Sequence, residues 1–333
     1  MKLASLKSAG KSLDGELVVV AKDLKSFARA VHIAGSAREA VENWAAVEPK
    51  LKEIYNQLNT KNYSQAEKIK DEKIFHSALP RTWLFADGSA FIHHIKLVRQ
   101  ARNAALPEAL LTVPLMYQAE SGKFLAPTED IPQRDFAHGT DFEAEVGVIV
   151  DYVPMGTAAK KALDHIKLVV LINDVSLRGL IPGELAQGFG FFQSKPNKSL
   201  SPVAVTLDEL GEAWKNGRVH LPLHVRYNSE FFGKANAGEM HFHFGELIAH
   251  AAKTRDLAAG SLIGSGTVSN EDVSNGSSCL AEKRMIEQIS SQINDGEIKT
   301  TYMKENDTIE IEMKNSNGES IFGRIFQKVK KVN

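Results

Sequence analysis

The sequence predicts an α+β protein in which a small mixed N-terminal unit precedes a larger, strand-rich domain. Three observations carry this expectation. The chain has 333 residues, 43% hydrophobic and 24% charged, enough for one large core and a smaller one at about 150 residues per domain. Its texture changes after Pro80, from helical spacings to short apolar or alternating runs punctuated by Gly, Pro, Asn and Asp. Those runs have the lengths of strands: Phe142 to Val150, Leu168 to Ile172, Pro202 to Val205, His220 to Tyr227 and Thr308 to Met313.

Taken in order, Gly15 to Val20 reads as a strand. Ser36 with Glu39 forms a capping box opening a helix that carries Val41, Trp44 and Val47, and Pro49 is expected to end or bend it. Leu51, Ile54, Tyr55 and Leu58 then lie on one helical face, and Ser64 with Glu67 repeats the capping signal. Beyond the boundary, placed at 75 to 80, Asp208 to Lys215 is predicted helical, capped by Thr206 with Glu209. A further helix is predicted from Phe244 to Lys253.

The 40 Lys+Arg against 41 Asp+Glu give a net charge of -1, so no basic field favours nucleic acid or an anionic membrane, and small-molecule partners are expected. The single cysteine, Cys279, excludes an intrachain disulfide, and the first residues lack the apolar core of a signal peptide. Apolar runs such as Leu168 to Ile172 fall short of the ~20 residues of a membrane span. A cytoplasmic, soluble protein is the expectation.

The run DFEAEVGVIV, 141 to 150, carries the most chemistry. Side chains alternate along a strand, so Phe142, Ala144, Val146, Val148 and Val150 share an apolar face, while Glu143 and Glu145 stand together on the other. Two adjacent carboxylates repel, and a bridging divalent cation relieves that. Asp174 ends the apolar run Leu168 to Ile172 and adds a third acid. An all-oxygen set suits Mg²⁺, Ca²⁺ or Mn²⁺. The opposing explanation, a solvated edge strand with Asp174 in a turn, stands level on spacing alone.

In order over roughly 80 to 325, the segments FADGSAFIHHIKLV, DFEAEVGV, INDVSLRG, FFQSKP, GSGTVSN, GSSCLAEKR and NDTIEIEM resemble the motifs of the fumarylacetoacetase (fumarylacetoacetate hydrolase) family. The resemblance implies a rolled, mixed β-sheet around a metal, a homodimer, a small N-terminal domain (1–78) and a catalytic domain (79–333). It implies Glu143, Glu145 and Asp174 as metal ligands, with Asp87 matching a fourth acid. His94, seven residues after Asp87, matches the general base, preferred over its neighbour His93, and Glu282 matches the acid that orients it. Lys195, Arg178 and Tyr117 resemble groups that bind substrate oxygens, and Thr267 one that contacts a substrate carboxylate. Two positions depart from the pattern: Ser89 replaces a tyrosine and Ile181 a glutamine, both in the substrate pocket.

The activity implied is metal-dependent hydrolysis of a carbon–carbon bond in a fumarylacetoacetate-like or acylpyruvate-like diketo acid, with a place in aromatic amino acid catabolism and Mg²⁺ or Ca²⁺ as cofactor. Decarboxylation or enol-keto tautomerisation of an oxaloacetate-type acid is the alternative, and a non-catalytic binder of metal and keto acid the second. Elsewhere, HFHFGELIAH (241 to 250) has zinc-like spacing but reads better as a strand end entering an apolar-striped helix. Cys279 reads as a small buried hydrophobe rather than a nucleophile, and GFGFFQ fails the dinucleotide-loop spacing.

Overall fold

The strand Ala144–Val150 occupies the interior of an 11-stranded mixed sheet in the computed structural model, which describes residues 1–7, 12–101, 105–294 and 297–333. It pairs antiparallel with Ile166–Asn173 on one side and with Ser261–Gly264 on the other. Ser261–Gly264 in turn runs parallel to Phe85–Gly88, which pairs with Met116–Ala119 at the edge. On the far side of Ile166–Asn173 the sheet continues through Val203–Val205 to Lys2–Leu6, Glu16–Val20, Ser26–Arg29 and Glu67–Lys68. The N-terminal strands therefore extend the sheet that carries the acidic run. A second, five-stranded sheet orders Glu230–Asn236, Pro222–Tyr227, Thr308–Lys314, Ser320–Lys331 and Ile131–Gln133. Mixed sheets with few helices agree with the α+β expectation.

Both faces of the central strand are covered. Phe142, Ala144, Val146, Val148 and Val150 join one hydrophobic cluster, with Val169 and Leu171 from the neighbouring strand. Ile149 on the opposite face joins a second cluster with Leu168, Val170 and Ile172. Period-2 alternation is thus kept, but Ile149 on the second face is buried in a second core and does not face water.

Several local expectations fail for identifiable reasons. Pro49 does not end its helix: the break falls at Asn43, between Ala37–Glu42 and Trp44–Asn59, and Pro49 lies inside the second. Its missing N–H removes one bond near the N-terminal end, which burial of Leu51, Ile54, Tyr55 and Leu58 outweighs. Ser64 and Glu67 start no helix, because Glu67–Lys68 pairs with Ser26–Phe27 and the Glu67 carboxylate accepts from Arg29 Nε at 2.7 Å. Asp208 to Lys215 forms only the 3₁₀ turns Leu207–Glu209 and Gly211–Ala213 before a short strand. The Thr206 hydroxyl bonds the Met1 carbonyl instead of capping, and Gly211 sits at φ +51°. His93 and His94 lie on the helix Ile92–Ala101. HFHFGELIAH leads into the helix Phe244–Ala251, with His243 and Glu246 as its capping box. Among the described residues no helix is long and apolar enough to cross a membrane.

Gly233 lets the hairpin strand Glu230–Asn236 lie directly on the segment leading to the helix Leu280–Asn294: a Cβ there would sit 2.1 Å from the Ser277 carbonyl oxygen. Backbone cannot yield as a side chain does. Gly233→Ala is expected to cost about 1–3 kcal/mol, read as a lower urea midpoint at unchanged slope. An unchanged midpoint would contradict this contact.

Candidate functional site

Glu143 and Glu145 are buried, at 5% and 0% exposure, as are Asp87 and Asp174. The solvated-edge explanation is therefore overturned. Main-chain pairing sets the cluster: the Asp174 amide donates to the Glu143 carbonyl at 2.9 Å, so the end of one strand is tied to the start of the next. Asp87 enters from Phe85–Gly88, two strands across the sheet. Asp87, Glu145 and Asp174 each bring one carboxylate oxygen to within 4.8 Å of the others, all three buried.

The remaining acid, Glu143, is held by cations. Arg178 Nη2 donates to Glu143 Oε1 at 2.6 Å and Lys195 Nζ to Glu143 Oε2 at 2.8 Å. Lys195 also donates to Asp174 Oδ2 at 2.5 Å, Tyr117 donates to the same oxygen at 2.8 Å, and Lys198 Nζ lies 2.6 Å from Asp174 Oδ1. Arg178 Nε donates to Asp141 Oδ2 at 2.8 Å. Asp141 in turn accepts from the Leu280 and Ala281 amides at 2.8 and 2.9 Å, fixing the start of the helix Leu280–Asn294. That helix carries Glu282, whose Oε2 meets His94 Nδ1 at 2.7 Å.

The charges do not balance among protein groups. Asp87, Asp141, Glu143, Glu145 and Asp174 face Lys195, Lys198 and Arg178, an excess of at least two negative charges in a buried space. Two unit charges about 4 Å apart repel by roughly 4 kcal/mol even at an effective dielectric of 20. Without a cation the excess is met by protons. Burial, then the Asp174 charge, pushes the Asp87 carboxyl up to about 8, and burial with Asp87 and Asp174 raises Glu145 well above the carboxylate range. Burial opposes the Asp174 anion as well, but Lys195 and Lys198 hold it below its ordinary value. Burial also works against the Lys195 ammonium, yet Asp174 and Glu143 raise it above its ordinary value.

Both Glu145 oxygens are buried with no hydrogen-bond donor among the described residues. Orphaned oxygens, three converging carboxylates and a surplus charge of two fit a divalent cation with oxygen ligands. Asp87, Glu145 and Asp174 could hold it, with Glu143 beside them.

A pocket of about 440 Å³ opens on the cluster, within the size range of small-ligand sites. Asp87, Glu143, Glu145, His94, Tyr117 and Lys195 line it, as do Arg178 and Thr267. With Asp174 and Glu282 in direct contact behind them, the structure brings together every site residue named from the sequence. Ser89 and Ile181, the departures from the family pattern, line the same pocket. Sequence reasoning missed Lys198, Asp141 and Gly264. Asp141 precedes Glu143 by two residues, and Lys198 follows Lys195 by three, but neither spacing signals an ion pair by itself. Cys279 is buried and its thiol pushed up by burial and Asp141, so it stays protonated. His241 Nε2 and His243 Nδ1 are spent on the Leu111 carbonyl and the Gly245 amide.

Fold and site together define a mixed-sheet protein built around a buried carboxylate cluster beside a His–Glu pair. The chain belongs to the fumarylacetoacetate hydrolase family: residues 84–330 match the family's C-terminal model, fumarylacetoacetate (FAA) hydrolase, and residues 1–81 match fumarylacetoacetase N-terminal domain 2. It is 26% identical over 160 residues to 2,4-didehydro-3-deoxy-L-rhamnonate hydrolase of Sphingomonas sp. (strain SKA58), covering 47% of this chain and 53% of that one. The match thus spans about half the length of that curated relative. The fold is similar to maleylpyruvate hydrolase from Sphingobium sp. SYK-6, solved with manganese(II) and pyruvate (TM-score 0.66, 13% identity, 100% of both chains). It is also similar to 5-carboxymethyl-2-hydroxymuconate delta-isomerase from Mycobacterium smegmatis (TM-score 0.61, 13% identity, 100% of both chains).

Two outcomes test the cation site. Divalent-cation binding must expel the proton that Asp87 keeps below about pH 8, so apparent affinity should rise with pH through that value. Calorimetry at pH 6.5 in buffers of different ionisation enthalpy should show release of about one proton or more per cation; buffer-independent heats would contradict it. A Cβ on Gly264 would sit 2.1 Å from Asp87 Oδ1. Gly264→Ala should therefore weaken Mn²⁺ binding about 10- to 100-fold, as supporting residues of metal sites commonly do, with the circular-dichroism spectrum retained.

Proposed function

We propose that this protein is a divalent-metal-dependent hydrolase cleaving a carbon–carbon bond in an acylpyruvate-like or fumarylacetoacetate-like diketo acid. Residues 1–78 serve as a structural N-terminal unit and 79–333 carry the chemistry. The observation that supports it most is that the His94–Glu282 pair opens on the same pocket as the carboxylate cluster. A scaffold that merely bound a keto acid would have no use for a base whose tautomer is fixed. Mg²⁺, Ca²⁺ and Mn²⁺ all suit the oxygen donors, and the Sphingobium protein of similar fold was solved with manganese(II). When bound, the cation supplies Lewis-acid polarisation of the substrate oxygens.

The chain's own residues do the rest. The Glu282 carboxylate accepts Nδ1–H of His94, leaving Nε2 free to take a proton from water as its oxygen attacks the acyl carbonyl. Breaking the carbon–carbon bond leaves the electron pair on the departing fragment, viable as an enolate. The Lys195 ammonium and the Arg178 guanidinium, both lining the pocket, offset that charge, and the enolate carbon recovers a proton to give the second acid. Thr267 and Tyr117 offer hydroxyls for orienting substrate oxygens.

The delta-isomerase of similar fold supports a second reading, tautomerisation of the same class of substrate. Product analysis separates the two, since hydrolysis yields two acids and tautomerisation leaves the mass unchanged. With an acylpyruvate and Mn²⁺, EDTA should abolish cleavage, and His94→Ala should lower kcat by about 10²- to 10⁴-fold. Metal-independent turnover or full activity in His94→Ala would sink the hydrolytic assignment.

A further inference from the structure

The pocket has two unlike walls. One is the charged floor already described. The other is apolar: Leu115, Met116, Ile181, Leu185 and Phe191. Ile181 and Leu185 stand four residues apart on the helix Ile181–Ala186, so they present one face, and both line the cavity. Phe191 packs edge-to-face on Tyr117, ring centres 5.0 Å apart, which joins the apolar wall to the floor. Leu115 and Leu185 remain about half exposed at 48% and 47%. Such leucines at the rim of a pocket are covered when an apolar group fills it.

The cations along the pocket belong to its charged floor, where the 2-oxo-acid head would lie, and not to the apolar wall. Lys195 is bonded to Glu143 and Asp174, and Arg178 to Asp141 and Glu143. His94 is paired with Glu282. Among the described lining residues the remaining polar side chains near the apolar wall, Ser89 and Thr267, carry no charge. A carboxylate placed against Ile181 and Leu185 would lose water without gaining a cation, whereas a phenyl or alkyl group there gains from burial.

We propose that the substrate is a 2,4-diketo acid whose acyl end is apolar, carrying a phenyl or alkyl group and not a second carboxylate. The proposed function supplies the 2-oxo-acid head, and the apolar wall supplies the class of tail. The helix Ile181–Ala186 is the specificity element.

The test separates the tail from turnover. With Mn²⁺-loaded protein, calorimetry compares 2-oxo-4-phenylbutanoate with 2-oxoglutarate, which share a head and differ in the far group. The phenyl acid is expected to bind at least tenfold tighter, and Leu185→Lys, at a half-exposed position that tolerates charge, should reverse or abolish the preference. Equal binding, tighter binding of 2-oxoglutarate, or binding of neither overturns the proposal. Benzoylpyruvate and fumarylpyruvate are then assayed for cleavage. Failure to cleave either, with the phenyl preference intact, removes the hydrolytic reading and leaves the apolar tail standing. Efficient cleavage with fumarylpyruvate preferred does the reverse.

Discussion

Buried negative charge is the constraint around which this molecule is organised. Carboxylates from separate strands converge, buried, at the floor of a pocket, and the protein's own cations leave two charges over. Such a cluster is tolerable only if protons or a cation complete it. Lys195 and Lys198 hold Asp174 ionised, and Asp87 with Glu145 absorb what is left by rising out of the carboxylate range. A hard divalent ion held by Asp87, Glu145 and Asp174 would replace those protons.

The sheet makes the convergence possible. Glu143 and Glu145 share a face because extended side chains repeat every second residue, and a slip of one residue would move Phe142 and Ala144 out of the core onto the site in their place. The Asp174–Glu143 main-chain bond and the parallel pairing of Ser261–Gly264 with Phe85–Gly88 bring Asp174 and Asp87 to the same level. Gly264 lies opposite Asp87 in that pairing, where any side chain would displace the carboxylate. Asp141 links this floor to the His94–Glu282 pair: it caps the helix whose Glu282 meets His94, and it shares Arg178 with Glu143.

Much of this was legible in the chain. The central strands, the helix from Phe244 and the apolar face of the 142–150 run follow from local periodicity, which tertiary packing here reinforces. The acidic pair, Asp174 and the family motifs pointed to the residues that the pocket unites. The failures lie where distant partners took over local groups. Thr206 bonds Met1 in place of a helix, Glu67 joins a strand and Arg29, and Pro49 is carried inside a helix by the burial of its neighbours. Lys198 and Gly264 stayed hidden because their meaning lies in atoms far along the chain, Lys198 against Asp174 and Gly264 against Asp87.

The sequence by itself determined the alternation that puts Glu143 beside Glu145, and the order of motifs that marks the family, because both are properties of neighbouring residues. Whether that acidic face meets water or a second core was decided by tertiary structure alone. Tyr117, Lys195, Lys198 and Arg178 close on the acids and leave Glu143 and Glu145 buried, and only such covering could make a pair of strand carboxylates fit to hold a cation. Desolvation depends on everything packed around a group, and no local pattern records it.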